Sequence, residues 1–277
     1  MKLNPLTPKI GVEIQGIDLR QPLSDTDVLM LKKAFTDAGV LIVRNQDLTP
    51  DQFVRFARYF GPDESYGGHL KDYLLPSFPE IISLSNMLEN GKPLGVQDAG
   101  QYWHTDRSYV NTPGWASVLL SKKIPHDETG EPLGDTLFAS TTAALAALPE
   151  AEQQALEQLR AVHEYVFRFS KPNDSLPSVQ HPVILKHPLS GARCLYVNDG
   201  FTKCIADVTN EESHQLLRKL YAHQVRDEFV YRHRWQVGDV LMWDNYSTIH
   251  NAVGNYGPDQ HRLMWRTTIQ GFPLQQS

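Results

Sequence analysis

The spacing of apolar residues changes several times within the first sixty positions, and each change marks an element. Residues 11–19 alternate in part, as a strand with one wet face does. Behind Ser24 and Asp25, the residues Val28, Leu31, Ala34 and Phe35 recur at helical spacing, which predicts a capped helix to about Ala38. Val40–Val43 is apolar throughout, the mark of a short buried strand. Thr49-Pro50 opens a second helix carrying Phe53, Phe56, Ala57 and Phe60, and Gly61-Pro62 ends it.

Beyond residue 62 the pattern becomes strand-rich. Irregular loops are predicted over 62–80 and 86–100, on either side of a strand at 80–85. Strands at 116–120 and 134–139 precede a helical pair over 141–160, broken at Pro149. The remainder reads as short strands at 183–185, 194–197, 229–231, 240–243 and 263–269, separated by turns. Many short strands with few helices and no βα alternation favour a mainly β fold with flanking helices, a sandwich or jelly roll. No repeat or Pro/Gly/Ser linker divides the chain, so residues 1–277 are expected to form a single domain.

Composition narrows the function. With 41% apolar and 21% charged residues the chain is an ordinary globular protein. A net charge of −6 argues against nucleic acid or an anionic membrane surface as partner, although a few local arginines could still hold a small anion. No apolar run approaches the roughly 18 residues that span a bilayer, and the N-terminus lacks a signal-peptide core. Cys194 and Cys204 are the only cysteines, which removes disulfide scaffolds and zinc ribbons and points to the cytoplasm. No glycine-rich nucleotide cradle occurs.

Trp103-His104-Thr105-Asp106 carries the candidate chemistry. His-x-Asp is expected by chance about once in a chain of this composition, so the motif matters only in company. On a strand end, residues two apart project to one face, which lets His104 and Asp106 reach one ion. His250, beyond the strand at 240–243, can complete two imidazoles and a carboxylate, the set that non-haem iron(II) oxygenases use. Twelve residues later stands Arg262, suited to gripping a carboxylate with two parallel hydrogen bonds. Arg262, Met264, Arg266 and Thr268 share one face of the last strand, and Leu263, Trp265, Thr267 and Ile269 the other. In a central strand the first set faces a cavity whose arginines require anions; in an edge strand it is solvated.

Trp103-His-Thr-Asp, Gly134-Asp135-Thr136, Leu195-Tyr-Val-Asn198-Asp-Gly-Phe201, Phe229-Val-Tyr-Arg-His-Arg-Trp235, Trp243-Asp244-Asn245, His250 and Arg262-x-x-x-Arg266 together resemble the taurine / 2,4-D dioxygenase family of Fe(II)/2-oxoglutarate enzymes. The resemblance implies a double-stranded β-helix (jelly roll) with Fe(II) on His104, Asp106 and His250. It also implies 2-oxoglutarate as co-substrate, its far carboxylate on Thr136 and Arg262, and O2 as oxidant. Arg266 falls where relatives hold the anionic end of the prime substrate. His69, Tyr109, Phe169 and Phe201 fall in segments that supply pocket residues. The reaction implied is hydroxylation of a small anionic, sulfonate-like molecule, with C–S or C–O cleavage where the new hydroxyl makes the product unstable. Dimers or tetramers are the assemblies of relatives.

Two positions depart from the taurine pattern. Gly100 stands where an asparagine contacts substrate, and Arg168 replaces a small serine. A bulkier or more highly charged anion than taurine is therefore expected. An aryloxyalkanoate or amino-acid-derived carboxylate is the alternative substrate on the same scaffold. From other classes, a metal-binding jelly roll without oxygenase activity or a zinc hydrolase would use His104, Asp106 and His250 but have no need of Arg262 with Thr136.

Overall fold

The computed structural model describes residues 1–66, 68–97, 100–165 and 178–276. The two N-terminal helices form where the sequence places them. Ser24 caps Asp25–Ala38 by accepting a hydrogen bond from the Asp27 amide, and Gly39 closes it at φ +70°. Thr49 and Gln52 form a reciprocal capping box on Pro50–Arg58. Leu31, Ala34 and Phe35 of the first helix and Phe53, Phe56 and Ala57 of the second pack into one apolar cluster over the same sheet.

Among the described residues that sheet has eight strands, in the order Lys2–Pro5, Val12–Gln15, Val40–Val43, Val240–Asp244, Ala116–Lys123, Leu263–Ile269, Phe78–Ser85 and Leu74–Leu75. All neighbours are antiparallel except Val12–Gln15 and Val40–Val43, which the first helix joins. Val40–Val43 and residues 240–243 are apolar without alternation because both faces are covered. Leu41, Val43, Val240 and Met242 belong to the cluster beneath the helices. Val40, Ile42, Leu241 and Trp243 belong to a second cluster, with Leu119, Phe138, Trp235 and Met264. That second cluster is closed by an antiparallel sheet of Val230–His233, Thr136–Ser140 and Thr248–Ala252. Two β layers around an apolar interior make the jelly roll that the sequence leads one to expect.

Among the elements that differ from the sequence reading, two stand out. Asn210–Gln224 is a 15-residue helix where strands and turns were expected. Its start was legible, since Thr209 and Glu212 form a capping box. Its buried stripe includes Ser213 and Gln224 beside Leu217 and Leu220, so counting apolar residues alone misses it. Thr248–Ala252 is a strand that the sequence reading did not mark, and this register sets His250 opposite Phe138. The strand Leu263–Ile269 lies between Ala116–Lys123 and Phe78–Ser85. It is central, so Arg262 and Arg266 belong to the interior face.

Candidate active site

The backbone brings the two histidines together first. His104 and His250 are opposed across an antiparallel bridge, with N–H···O distances of 3.0 and 2.7 Å in the two directions. Asp106 follows in a turn, and its Oδ1 stands 3.8 Å from Nε2 of each imidazole. All three side chains are buried, and the three candidate donor atoms lie within 4.8 Å of one another.

The remaining polar atoms of His104 and Asp106 are committed elsewhere, which tests whether an ion fits. His104 Nδ1 lies 2.8 Å from the Tyr102 carbonyl, so that nitrogen carries the proton and Nε2 keeps its lone pair. Asp106 Oδ2 accepts from Ser117 Oγ at 2.6 Å and from Arg266 Nη2 at 2.7 Å, leaving Oδ1 toward the imidazoles. Burial lowers the pKa of His104 and of His250, with Asp106 opposing, and keeps both rings neutral. Burial alone would raise the Asp106 carboxyl; Arg266, then the two imidazoles and Ser117, instead hold it far below the usual carboxylate range. Neutral imidazoles and an ionised carboxylate facing one point are the donor set for iron(II). His250 Nδ1 has no hydrogen-bond partner, and that ring is held by Trp243 and Phe138, at 4.8 and 6.0 Å between centroids.

At Ala252, the end of the strand that carries His250, lies a cavity lined also by Ser85, Gln101, Gly134, Val253, Tyr256 and Arg262. Arg262 is buried, burial lowers its pKa, and its Nε is without a hydrogen-bond partner. Gly134 makes room for it: at φ +77°, a Cβ there would sit 3.0 Å from the Tyr256 ring and 3.3 Å from Arg262 Nε. Thr136 starts the next strand, and its Oγ accepts from the Trp235 indole at 3.0 Å. Its own proton therefore stays available to an acceptor.

Around Asp106 and His104 a cation is combined with aromatic rings. Arg266 bonds Asp106 and Ser117 through Nη2, lies 5.8 Å above the Trp243 ring, and leaves Nε buried and unpartnered. Phe201 packs 5.8 Å from the His104 ring, with Tyr109 at 4.9 Å and Tyr102 at 6.0 Å from it. Burial pushes the Tyr109 hydroxyl up to about 12. Of the residues singled out from sequence, Tyr109 thus packs on Phe201, which packs on His104. Arg168, Phe169 and the side chain of His69 lie outside the described residues.

Several contributors were not singled out. Ser117 is the polar interruption of an apolar strand, a signal that was visible. Asp244, fully buried, caps the Tyr246 and Ser247 amides and takes hydrogen bonds from Trp115 and His187, which shapes the turn before His250. Asn245 donates to Ser117 Oγ at 3.2 Å and its carbonyl accepts from Thr105 at 2.6 Å, tying that turn to the His104–Asp106 segment. Gly100 has a role that its lost polar contact did not suggest. At φ +80°, any Cβ there would sit 2.6 Å from His104 Cε1. Gly100→Ala is expected to displace that ring and weaken Fe(II) binding about 10-fold or more, read by anaerobic iron titration. Unchanged affinity would show that the loop absorbs the side chain.

A jelly roll presenting two histidines and an aspartate at one end defines the class of non-haem iron oxygenases. Within it, the chain belongs to the taurine catabolism dioxygenase TauD, TfdA family, which matches residues 2–268. It is 34% identical over 269 residues to an alpha-ketoglutarate-dependent 2,4-dichlorophenoxyacetate dioxygenase of Cupriavidus pinatubonensis, covering 90% of this chain and 91% of that one. It is 31% identical to an alpha-ketoglutarate-dependent sulfate ester dioxygenase of Pseudomonas putida, over 98% and 90% of the two chains. A putative alpha-ketoglutarate-dependent taurine dioxygenase from Burkholderia xenovorans superposes with a TM-score of 0.84 at 32% identity, covering 99% of this chain and 90% of that one. The protein is accordingly a 2-oxoglutarate-dependent dioxygenase with iron(II) and O2 as the other reagents of its class. The hydrolase and inert-scaffold readings are set aside. Among the described residues, no helix is long and apolar enough to cross a membrane.

Proposed function

We propose that the prime substrate is a small organic anion of the sulfonate or sulfate-ester type, hydroxylated on the carbon next to its heteroatom, so that C–S or C–O cleavage follows. The observation that carries this reading is Arg266, partly buried beside the triad, whose buried Nε–H is still unpartnered. An apolar substrate would leave that donor unsatisfied; a sulfonate or sulfate oxygen would accept from it. Relatives named for alkyl sulfates and sulfate esters are in keeping with it. The rings of Tyr102, Tyr109 and Phe201 favour a second reading, an aryloxyalkanoate that stacks its ring there, in line with the relative named for 2,4-dichlorophenoxyacetate.

Bound iron(II) with 2-oxoglutarate and O2 supplies the C–H hydroxylation, giving succinate and CO2 beside the hydroxylated product. The chain's residues supply geometry. His104, Asp106 and His250 would hold the ion, with His104 oriented by the Tyr102 carbonyl and Asp106 by Ser117 and Arg266. Arg262, which lines the cavity beside Gly134, and Thr136, two residues after that glycine, would bind the far carboxylate of 2-oxoglutarate. The aromatic side chains around His104 exclude water from the substrate end. One domain over residues 1–277 is part of this reading, supported by a sheet that recruits strands from Lys2–Pro5 to Leu263–Ile269. So is a cytoplasmic location, supported by two free cysteines.

Anaerobic Fe(II) and 2-oxoglutarate should together give a weak visible charge-transfer band. Alkyl sulfates, sulfonates and aryloxyacetates should then be ranked by succinate release in air. The proposal is sunk if neutral analogues of the best substrate release succinate as fast as the anion does.

A further inference from the structure

Two side chains with no part in the chemistry above hold the backbone of Arg262. Antiparallel pairing between Leu263–Ile269 and Phe78–Ser85 ends at the Leu263–Ser85 pair, so Arg262 stands just beyond the ladder. Side chains take over from there. Asn86 Oδ1 accepts from the Arg262 amide at 2.8 Å, and Ser85 Oγ donates to the Arg262 carbonyl at 2.7 Å. The other end of the Asn86 side chain, Nδ2, donates to the carbonyls of Gly257 at 3.3 Å and Gln260 at 3.0 Å. Those two residues close a turn on each other: the Gln260 amide donates to the Gly257 carbonyl, and the Gly257 amide to Gln260 Oε1. Asn86 thus pins both the turn and the arginine that follows it. It lines the same cavity as Arg262 and Tyr256. Its two N–H groups are nevertheless spent on backbone, which leaves it no donor for an anion.

We propose that Asn86, seconded by Ser85, is a positioning residue for the co-substrate: it fixes the root of Arg262 and so sets the preference for a 2-oxo acid that carries a second carboxylate. This rests on the reading that Arg262 binds the far carboxylate of 2-oxoglutarate. The physical argument is preorganisation. A two-point hold on a carboxylate needs the guanidinium in one place and one plane before the ligand arrives, and an arginine side chain is long and flexible. The space around this one is tight, with the Tyr256 ring and Arg262 Nε both crowding the position of a Cβ on Gly134. Without Asn86, the Arg262 amide and two turn carbonyls lose their partners, and the turn is free to shift. A shift of about 1 Å at the root is enough to spoil such a hold. A 2-oxo acid without the second carboxylate makes no ion pair with Arg262 and is indifferent to the shift.

The test uses the anaerobic Fe(II) protein and two probes, 2-oxoglutarate and 2-oxopentanoate. Both have the keto acid end that chelates iron; the second carries a methyl where the first carries its far carboxylate. Dissociation constants are read from the charge-transfer band, and folding from the unfolding temperature. The unaltered protein should bind 2-oxoglutarate about 100-fold or more tighter, and Arg262→Leu should abolish that preference. Asn86→Ala should cut the preference about 10-fold, through weaker 2-oxoglutarate binding with 2-oxopentanoate unchanged. In the Arg262→Leu background Asn86→Ala should change neither constant, because it acts through that arginine. Ser85→Ala, which removes the hydroxyl on the Arg262 carbonyl, should lower the preference in the same direction, so a poorly folded Asn86→Ala protein would not hide the effect. Equal weakening of both probes, or an additive loss in the double variant, would make Asn86 a general support of the fold; this proposal then falls and the assignment of Arg262 stands. If Arg262→Leu keeps the preference, that assignment falls and this proposal with it.

Discussion

Asp106→Ala should abolish turnover and also destabilise the fold, whereas His104→Ala and His250→Ala should abolish turnover alone. Each substitution removes one of the three donors that would hold Fe(II), and two remaining donors would hold it poorly. The difference lies in what is left behind. Asp106 is the partner of Arg266, whose side chain is 18% exposed. Removing one member of a buried pair leaves the other charge uncompensated, at a cost of about 3–5 kcal/mol. The cost here should fall toward the lower figure, because some solvent reaches Arg266. The histidines instead meet through backbone hydrogen bonds that alanine preserves. Turnover at limiting iron and unfolding temperature decide the matter. Normal turnover in any of the three variants would remove that residue from the triad, and equal stability of all three would mean that Arg266 finds another partner.

Arg262→Leu should raise the apparent KM for 2-oxoglutarate by about two to three decades while moving that of the prime substrate far less. The guanidinium is buried, faces the cavity beside Gly134 and has an unpartnered Nε, so it is poised for a carboxylate that leucine cannot replace. Losing a charge-assisted pair of this kind costs about 3–5 kcal/mol, which at roughly 1.4 kcal/mol per decade gives about two to three and a half decades. Both constants must be measured on the same variant. Equal effects on the two substrates, or a larger one on the prime substrate, would show that Arg262 and Arg266 serve each other's anions.

Much of the scaffold was legible because local physics and tertiary structure agree there. Ser24, Thr49 and Pro50 mark helix starts whatever surrounds them, and Val40–Val43 reads as buried because nothing in it tolerates water. Asn210–Gln224 was missed because its buried face is partly polar, and polar burial is decided by partners elsewhere: Ser213 Oγ accepts from the Ile205 amide, and Gln224 donates to the Val197 carbonyl. Arg266 shows the same limit in the site. Its position on the strand marked it as a reader of substrate, but its bond to Asp106 joins residues 160 positions apart and is invisible to any local pattern.

The sequence by itself determined the ligand types, the helix starts, the strand-rich class and the family, since each rests on residue identity and short spacing. Tertiary structure decided which atoms face one another. It made Leu263–Ile269 a central strand, and so turned two arginines inward. It opposed His104 to His250 across a bridge, and it left Gly100 no room for a side chain beside His104. It set Glu64 against Arg107, 43 residues later, although neither belongs to a motif. The reason is common to all four: a charge or a close contact acts over a few ångströms of space, and only the fold decides which residues share them.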